Sequence, residues 1–343
     1  MSTPLHLGRN QQDSEYEDLL SLWADLESAL SLLLSKPLLV QDFSAKVRQL
    51  DSWLQDLVAH DIDAALYLMF QLAATSTVGY SASHALVCAT LCNIMAREFQ
   101  LPRHERDSLV RAALTMNIGM TALQNELAEQ RDKPNAQQKE AIQSHPLDSQ
   151  ALLERVFVSD ALWLDLVGQH HDNVSDKVPL ASQPPVDRLT RILGTIDRYA
   201  AMISPRKSRA GRSATDSVRA IVGQEVEQTD EVSYTLVRAI GLCPPGTFVK
   251  LDNGETGIVL RRSDKPNMPL VASLLDRTGN HKPQPSLHAT ALGKPRIQSA
   301  LARSAVKVEL NHQIMVRIGL YAAAQHNTEI HSLVTTPATL GLQ

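Results

Sequence analysis

The chain has 343 residues, of which 43% are hydrophobic and only 4% aromatic, and its formal net charge is −4. That length suits about two domains, and a core made mainly of Leu, Ala, Val and Ile favours helices over strands. The acidic balance argues against a protein that binds nucleic-acid polymers, and because no apolar run reaches about 18 residues, we expect no membrane span.

Residues 17–76 carry apolar side chains at helical spacing, in two successive stripes. The stripes consist of Leu19, Trp23, Leu26, Leu30 and Leu33, and of Val47, Leu50, Leu54 and Leu57. Each is shorter than the roughly three to four heptads that identify a coiled coil. We predict an N-terminal helical region over residues 1–76, which either forms a hairpin packed on the next domain or provides a homodimer interface over residues 17–60.

The apolar pattern stays helical from residue 77 to residue 240, which predicts a second helical domain there. Its predicted helices cover Ser81–Arg97, Glu105–Ile118, Gln137–Leu153, Ala161–His171, Pro185–Ile203, Ser213–Val226 and Asp230–Ile240. Pro185 stands at the start of its helix, where proline is preferred. The fold class that follows is mainly α-helical.

After residue 240 the pattern changes to short strands, so residues 241–343 are predicted to form a C-terminal β-hairpin and mixed appendage. The predicted strands are Thr247–Leu251, Glu255–Arg262 and Pro269–Leu275. Asn253 and Gly254 join the first two with the signal of a tight hairpin turn. Residues 278–297 are rich in Pro, His and Gly and are predicted to be loop.

The chain contains three cysteines, Cys88, Cys92 and Cys243. An odd number in a chain of this length indicates reduced thiols, and the polar N-terminus lacks the apolar segment of a signal peptide. We therefore expect a cytoplasmic protein. Cys88 and Cys92 lie one helical turn apart without further sulfur ligands nearby, which favours small buried core residues over a metal site.

A series of metal-ligand residue types lies on the predicted helices or at their ends, consisting of His84, His145, His170, His171 and Asp197. A helical bundle that directs such side chains inward can bind metal ions in its core. His84 precedes Met116 by 32 positions, Asn117 precedes His145 by 28, and His170 and His171 follow His145 by 25 and 26.

The order, spacing and local sequence of these residues resemble the HD-GYP domains, bacterial members of the HD metal-dependent phosphohydrolase superfamily. The resemblance extends over roughly residues 60–275 and is carried by Ala112–Met120, Ile196–Met202 and Gly246–Val259. It implies an HD-type helical bundle that binds two or three iron or manganese ions and hydrolyses cyclic di-GMP. In such a centre the metals activate a hydroxide and hold the scissile phosphate.

The sequence departs from the family pattern where the chemistry is expected. Met116 and Asn117 occupy the positions of the His-Asp ligand pair, and Met120 that of a phosphate-contacting Lys. Tyr80 stands where some members have a Glu ligand, and Val178 replaces the tyrosine of the Gly-Tyr-Pro motif. A thioether suits iron or manganese poorly, and a neutral amide cannot offset the charge of two dications. We expect no intact binuclear centre and no required cofactor, with at most one weakly bound iron or manganese ion on the remaining His and Asp residues.

Each of these residues also has a structural interpretation. His84 is then a hydrogen-bonded core histidine, and Asp197 forms an ion pair with Arg191 or Arg198. A basic loop follows the Asp197 helix and includes Arg206, Lys207 and Arg209. It is either a solvated surface loop or a set of phosphate and ligand contacts.

The favoured hypothesis is a degenerate HD-GYP-like protein that acts in cyclic-dinucleotide signalling or regulation without hydrolysis, binding a cyclic dinucleotide or a protein partner. The alternative is a metal-dependent phosphohydrolase of the cyclic di-GMP phosphodiesterase type with a rearranged site. A third hypothesis is a scaffold that dimerises through residues 17–60.

Overall fold

A computed structural model describes residues 12–75, 79–176, 178–204, 206–207, 211–222, 230–265, 267–312, 314–316 and 318–319. Within these residues the protein is mainly helical and ends in a small antiparallel sheet, so the predicted fold class is confirmed. No helix of this part of the chain combines the length and apolar character needed to cross a bilayer.

The predicted N-terminal helical region contains three helices. They are α1 (Gln12–Ser35), α2 (Phe43–His60) and α3 (Ile62–Thr75). The first apolar stripe lies on α1 and the second on α2, and all nine side chains of the two stripes are buried in the main hydrophobic core. Their predicted helical spacing is therefore confirmed as the face that packs inward.

The following helices form the frame of the candidate site. They are α4 (Tyr80–Glu98), α5 (Arg103–Thr115), α6 (Thr121–Glu129), α7 (Ala136–Arg155), α8 (Ala161–Gln169), α9 (Pro185–Ile203), α10 (Ala214–Val222) and α11 (Glu231–Ile240). Each predicted helix is present, and α6 was not predicted. The helix α4 is central, because every residue from Ser81 to Ala96 is buried. Side chains cap α7, α8 and α11 at Asn135, Asp160 and Asp230.

The sheet contains β1 (Phe248–Leu251), β2 (Thr256–Arg261), β3 (Leu270–Leu275), β4 (His281–Ala289) and β5 (Ile297–Leu301), in the order β4-β3-β2-β1-β5. The hairpin predicted at Asn253-Gly254 is confirmed, since β1 and β2 pair antiparallel with Phe248 opposite Ile258. The C-terminal element is therefore a five-stranded sheet rather than a hairpin alone.

The loop predicted over residues 278–297 is wrong, because β4 and the first residue of β5 lie within it. These two strands form the edges of the sheet, and β4 is largely exposed or half-buried. Edge strands tolerate proline because one side of the strand needs no hydrogen-bond donor, so Pro283 and Pro285 do not exclude a strand there. Without a buried face, the strand also lacks the apolar alternation that sequence analysis relies on.

The sheet packs against the helices through apolar side chains and is joined to them by ion pairs. One face of the sheet contributes Phe248, Ile258 and Leu260 to the same core as the helices. At the end of β2, Arg261 Nη1 lies 2.6 Å from Asp61 Oδ2, and Arg262 Nε lies 2.6 Å from Asp63 Oδ1. The domain boundaries at residues 76/77 and 240/241 stay a prediction.

Candidate metal centre

Four helices bring the predicted ligand residues into two neighbouring groups. His84 lies on α4, His145 on α7, His170 and His171 at the end of α8, and Asp197 on α9. One group comprises the three imidazoles of His145, His170 and His171, and the other comprises His84, Cys88 and Asp197. Within each group one potential ligand atom per residue lies within 4.8 Å of the others. Residues that are separated by up to 113 positions in sequence therefore meet in space.

The imidazoles of His145 and His170 point their Nε2 atoms at each other across 3.1 Å. The Nδ1 atom of His145 lies 2.6 Å from the Ile142 carbonyl oxygen, and that of His170 lies 2.8 Å from the Val167 carbonyl oxygen. A carbonyl oxygen only accepts hydrogen bonds, so both Nδ1 atoms carry the proton. In the neutral rings both Nε2 atoms then present lone pairs, which repel each other unless a cation shares them.

The pKa values of these two histidines favour the neutral rings. Burial lowers the pKa of His145, and it lowers the pKa of His170 to about 4. Both imidazoles are therefore neutral near pH 7, the form in which histidine binds metals. The third imidazole, His171, is exposed to solvent. This donor set fits one divalent metal ion that is reached from the surface.

The second group is arranged around a hydrogen bond in which His84 Nε2 lies 2.9 Å from Asp197 Oδ1. Burial alone raises the pKa of Asp197, but the hydrogen bond and charge of His84 together with His170 and His171 hold it well below its ordinary value. Asp197 is therefore ionised and His84 Nε2 donates to it. His84 Nδ1 is buried, without a hydrogen-bond partner among the residues that the structure describes.

Cys88 is a site neighbour that sequence analysis assigned only to the core. Its Sγ atom lies 3.6 Å from His84 Nε2, and burial raises the pKa of its thiol well above the ordinary value. The thiol is therefore protonated and a poor metal ligand in this state. The four-residue spacing of His84 and Cys88, which places both on one helix face, was the available signal.

The residues at the expected His-Asp position are both buried but supply neither imidazole nor carboxylate. Met116 is fully buried in the hydrophobic core and ends α5, while Asn117 is 8% exposed. The backbone N–H of Met120 donates to the Asn117 carbonyl oxygen over 3.0 Å. Asp197 is therefore the one carboxylate in the two groups formed by the described residues.

An aromatic and cationic stack covers His84. The ring of Tyr80 is stacked on His84 with the centroids 5.7 Å apart and the planes 12° apart. The guanidinium carbon of Arg206 lies 4.8 Å from the centre of the Tyr80 ring, and Arg206 Nη2 donates to the Tyr80 hydroxyl over 3.1 Å. Tyr80 thus occupies the predicted Glu position with an uncharged ring, and it brings a permanent cation towards the site.

The other residues of the basic loop lie differently. The ammonium group of Lys207 forms a surface ion pair with Glu129, and its backbone N–H donates to the Ala128 carbonyl oxygen over 2.8 Å. Arg209 lies outside the described residues. Of the predicted phosphate contacts, Arg206 is the one that the structure brings beside the ligand groups.

The hypothesis that Asp197 pairs with Arg191 or Arg198 is wrong. Arg191 forms its ion pair with Asp230, and Arg198 Nη2 donates to Thr195 Oγ1 over 3.1 Å. Asp197 contacts His84 instead, which also confirms that His84 is a hydrogen-bonded, buried histidine. On the same helix, Gly194 lets α9 approach the end of α8 closely, because a Cβ there would lie 2.8 Å from the His170 carbonyl oxygen.

Comparison with known proteins agrees with the geometry. The family model of the HD domain matches residues 66–231. The chain is similar to the cyclic di-GMP phosphodiesterase PA4108 of Pseudomonas aeruginosa, with 26% identity over 189 residues, which cover 53% of this chain and 45% of that protein. The matched segment thus spans less than half of the relative's length.

Among solved structures, the chain is similar to Bd1817, described as an HDG"Y"P protein from Bdellovibrio bacteriovorus. The TM-score is 0.47 and the identity 11%, and the match covers 68% of this chain and 72% of the other. Residues 66–231, which match the HD-domain family model, contain all five of the converging His and Asp residues.

Proposed function

We propose that the chain is a degenerate HD-GYP-like protein that binds a cyclic dinucleotide, or a protein partner of such signalling, without hydrolysing a phosphodiester at a binuclear centre. The observation that carries the proposal is that Asp197 is the one carboxylate in the two donor groups of the described residues. The name of the Pseudomonas relative, a cyclic di-GMP phosphodiesterase, supports cyclic di-GMP as the ligand to test first.

Charge balance supports this proposal. Two divalent ions in a two-metal site lie roughly 3.5–4 Å apart and need anionic ligands to offset their repulsion. His145 and His170 are neutral, and Asp197 supplies a single negative charge that is already hydrogen-bonded to His84. A buried charge without compensation is costly. The donor set therefore does not fit two metals.

One metal ion does fit the imidazole group. His145, His170 and His171 would hold it, and their all-nitrogen character suits iron better than manganese, which prefers oxygen ligands. When bound, such an ion supplies Lewis-acid polarisation of a phosphoryl oxygen. The protein's own contribution is to fix two Nε2 lone pairs through the Ile142 and Val167 carbonyls and to leave His171 accessible.

Arg206 supplies the contact through which a phosphate could be recognised. Its guanidinium lies over Tyr80, and its Nε atom is buried without a hydrogen-bond partner in the described residues. Guanidinium groups bind phosphate oxygens with strong, directional hydrogen bonds. In the proposed complex Arg206 contacts the ligand; the predicted contacts of Lys207 and Arg209 stay predictions, since Lys207 pairs with Glu129 and Arg209 lies outside the described residues.

The decisive experiment compares the native chain with a Met116→His, Asn117→Asp double variant after loading with Fe(II) or Mn(II). We expect at most one metal per native chain, binding of cyclic di-GMP without turnover, and a second metal in the double variant. The matched control is Met268→His with Asn267→Asp, the same pair of changes in the turn before β3. Two metals per native chain together with hydrolysis of cyclic di-GMP would exclude the proposal.

The exposed position of His171 beside two neutral imidazoles favours one other candidate, a phosphohydrolase that uses a single metal. It predicts a metal-dependent activity on cyclic dinucleotides or simple phosphodiesters that His170→Ala abolishes. The same assay decides between the two candidates. If the native chain shows no turnover with Fe, Mn, Ni or Mg, the phosphohydrolase candidate fails.

We also propose that residues 17–60, on the N-terminal helices, form a homodimer interface. Leu22 and Leu32 on α1, and Leu38 and Leu39 in the turn that follows, are exposed apolar side chains, with Leu39 81% exposed. Burial of such side chains between two copies would remove apolar area from water. Sedimentation of the native chain tests this, and a monomer at high concentration would remove the proposal.

A further inference from the structure

A cavity of about 260 Å³ lies between the helices and the sheet, apart from the histidine groups. Its walls come from α3, the segment between α9 and α10, the strands β1 and β5, and the turn after β5. None of the candidate metal ligands lines it. Its lining combines cationic, hydroxyl and apolar side chains, so it can contact both a charged group and an apolar group of a ligand.

Two cationic side chains line the cavity. They are Arg212 and Arg303, and the described lining residues include no Asp or Glu. Neither arginine forms an ion pair with a carboxylate of the described chain. Arg303 is held in place, because Nη1 donates to the Val306 carbonyl oxygen over 2.6 Å and Nη2 to that of Val308 over 3.0 Å.

Two buried donor atoms of the lining residues have no hydrogen-bond partner among the described residues. They are the Nε atom of Arg303 and the Oγ1 atom of Thr247. Thr247 is only 6% exposed. A buried donor without a partner is destabilising, so an anion that accepts from these two atoms would remove that cost.

The beginning of α10 faces the same cavity through Ser213 and Ala214. The first N–H groups of a helix have no acceptor within the helix, and the helix dipole makes this end partly positive. The carboxylate of Asp216 in the first turn accepts from Ser213 Oγ over 2.7 Å and lies 3.6 Å from Arg219. The N–H of Asp216 donates to Ser213 Oγ over 3.1 Å, and helix N-termini commonly bind phosphate through their remaining N–H groups.

Apolar side chains also line the cavity, and the Arg303 guanidinium carbon lies 5.1 Å from the centre of the Phe248 ring. The apolar lining residues are Phe70, Ile203, Phe248 and Leu301. We propose that this cavity binds a small phosphate monoester with an apolar or aromatic body, whose phosphate meets Arg212, Arg303 and the start of α10. A phosphate is favoured over a carboxylate because it carries more negative charge and offers three terminal oxygens to Arg212, Arg303 and the start of α10, whereas a carboxylate offers two.

The test uses phenyl phosphate as the probe and the full chain as the protein. Methyl NMR signals of Ile203 and Leu301 should shift in a saturable way at millimolar phenyl phosphate. Arg212→Gln should weaken binding at least about ten-fold, the usual effect of losing a charged hydrogen bond. The control, Arg219→Gln, removes an exposed arginine of α10 that does not line the cavity and should leave the affinity unchanged.

Three results would overturn the proposal. One is the absence of saturable shifts of the Ile203 and Leu301 methyl groups. Another is equal affinity for benzoate and phenyl phosphate, which would exclude the preference for phosphate. The last is loss of binding in His170→Ala, which would move the phosphate to the histidine groups. Retained binding in His170→Ala supports the cavity even if the proposed signalling function fails.

Discussion

The Nε2 atoms of His145 and His170 face each other at 3.1 Å while both Nδ1 atoms are committed to backbone carbonyls. Since Ile142 and Val167 each precede their histidine by three residues, the helices α7 and α8 themselves fix both rings. The two lone pairs are thus pre-arranged for a cation. Outer hydrogen bonds of this kind orient metal-ligating histidines and set their tautomer.

Replacing His171 by Ala should abolish the binding of a single divalent ion. Loss of even an outer partner costs about 10–100-fold in metal affinity, so loss of one of three imidazole ligands should cost more. Because His171 is exposed, the fold should be unaffected. Metal titration with Fe(II) or Mn(II) measures the change, and His104→Ala, which removes another exposed imidazole, should retain affinity. Equal affinity in the two variants would contradict a three-imidazole site.

Gly194→Ala should destabilise the protein and weaken metal binding. In an ordinary helix the change stabilises by roughly 0.5–1 kcal/mol, but here the new Cβ would lie 2.8 Å from the His170 carbonyl oxygen. Backbone cannot yield as a side chain can, so α8 and α9 must separate. The control is Gly168→Ala on α8, whose Cβ would meet only the flexible end of Gln150. Urea unfolding should give a lower free energy of unfolding for Gly194→Ala than for Gly168→Ala. The reverse order would contradict the predicted clash with the His170 carbonyl.

Arg188→Met should cost about 3–5 kcal/mol in the free energy of unfolding, because it leaves the buried Glu105 carboxylate without its arginine partner. Glu105 is 3% exposed, and Arg188 Nε donates to its Oε2 atom over 3.0 Å, which joins α5 to α9. Adding Glu105→Leu should recover most of the loss. Arg103→Met, at an 87% exposed position of α5, is the control and should change stability little. If the changes in free energy of unfolding for Arg188→Met and Glu105→Leu were additive in a double-mutant cycle, an energetic coupling between the two residues would be excluded.

The sheet should lose stability in acid through Glu255. Burial alone raises the pKa of Glu255, but hydrogen bonds from Lys282, Ser273 and Asn253 outweigh it and lower the pKa from 4.5 to about 2. A lowered folded-state pKa means that the carboxylate stabilises the protein above pH 4.5 and that this stabilisation is lost as pH falls towards 2. The stability gap between the native chain and Glu255→Gln should shrink over that window. A gap independent of pH would refute this role for Glu255.

The sequence by itself determined most helices and the identity of the candidate ligands. Apolar spacing along α1 and α2 and the start of α9 at Pro185 follow from contacts between residues a few positions apart, which a single chain segment already encodes. The departures at Met116 and Asn117 were equally visible, because they concern residue types at fixed positions.

Only the tertiary structure decided what those residues do together. The hydrogen bond from His84 to Asp197 spans 113 positions, so no local pattern could select His84 over Arg191 or Arg198 as the partner of Asp197. The tautomers of His145 and His170 depend on carbonyl groups whose direction is set by helix packing. The edge strand β4 lacked a buried face and so left no pattern in the sequence. Each of these features is an interaction between distant segments, and its energy exists only once the chain has folded.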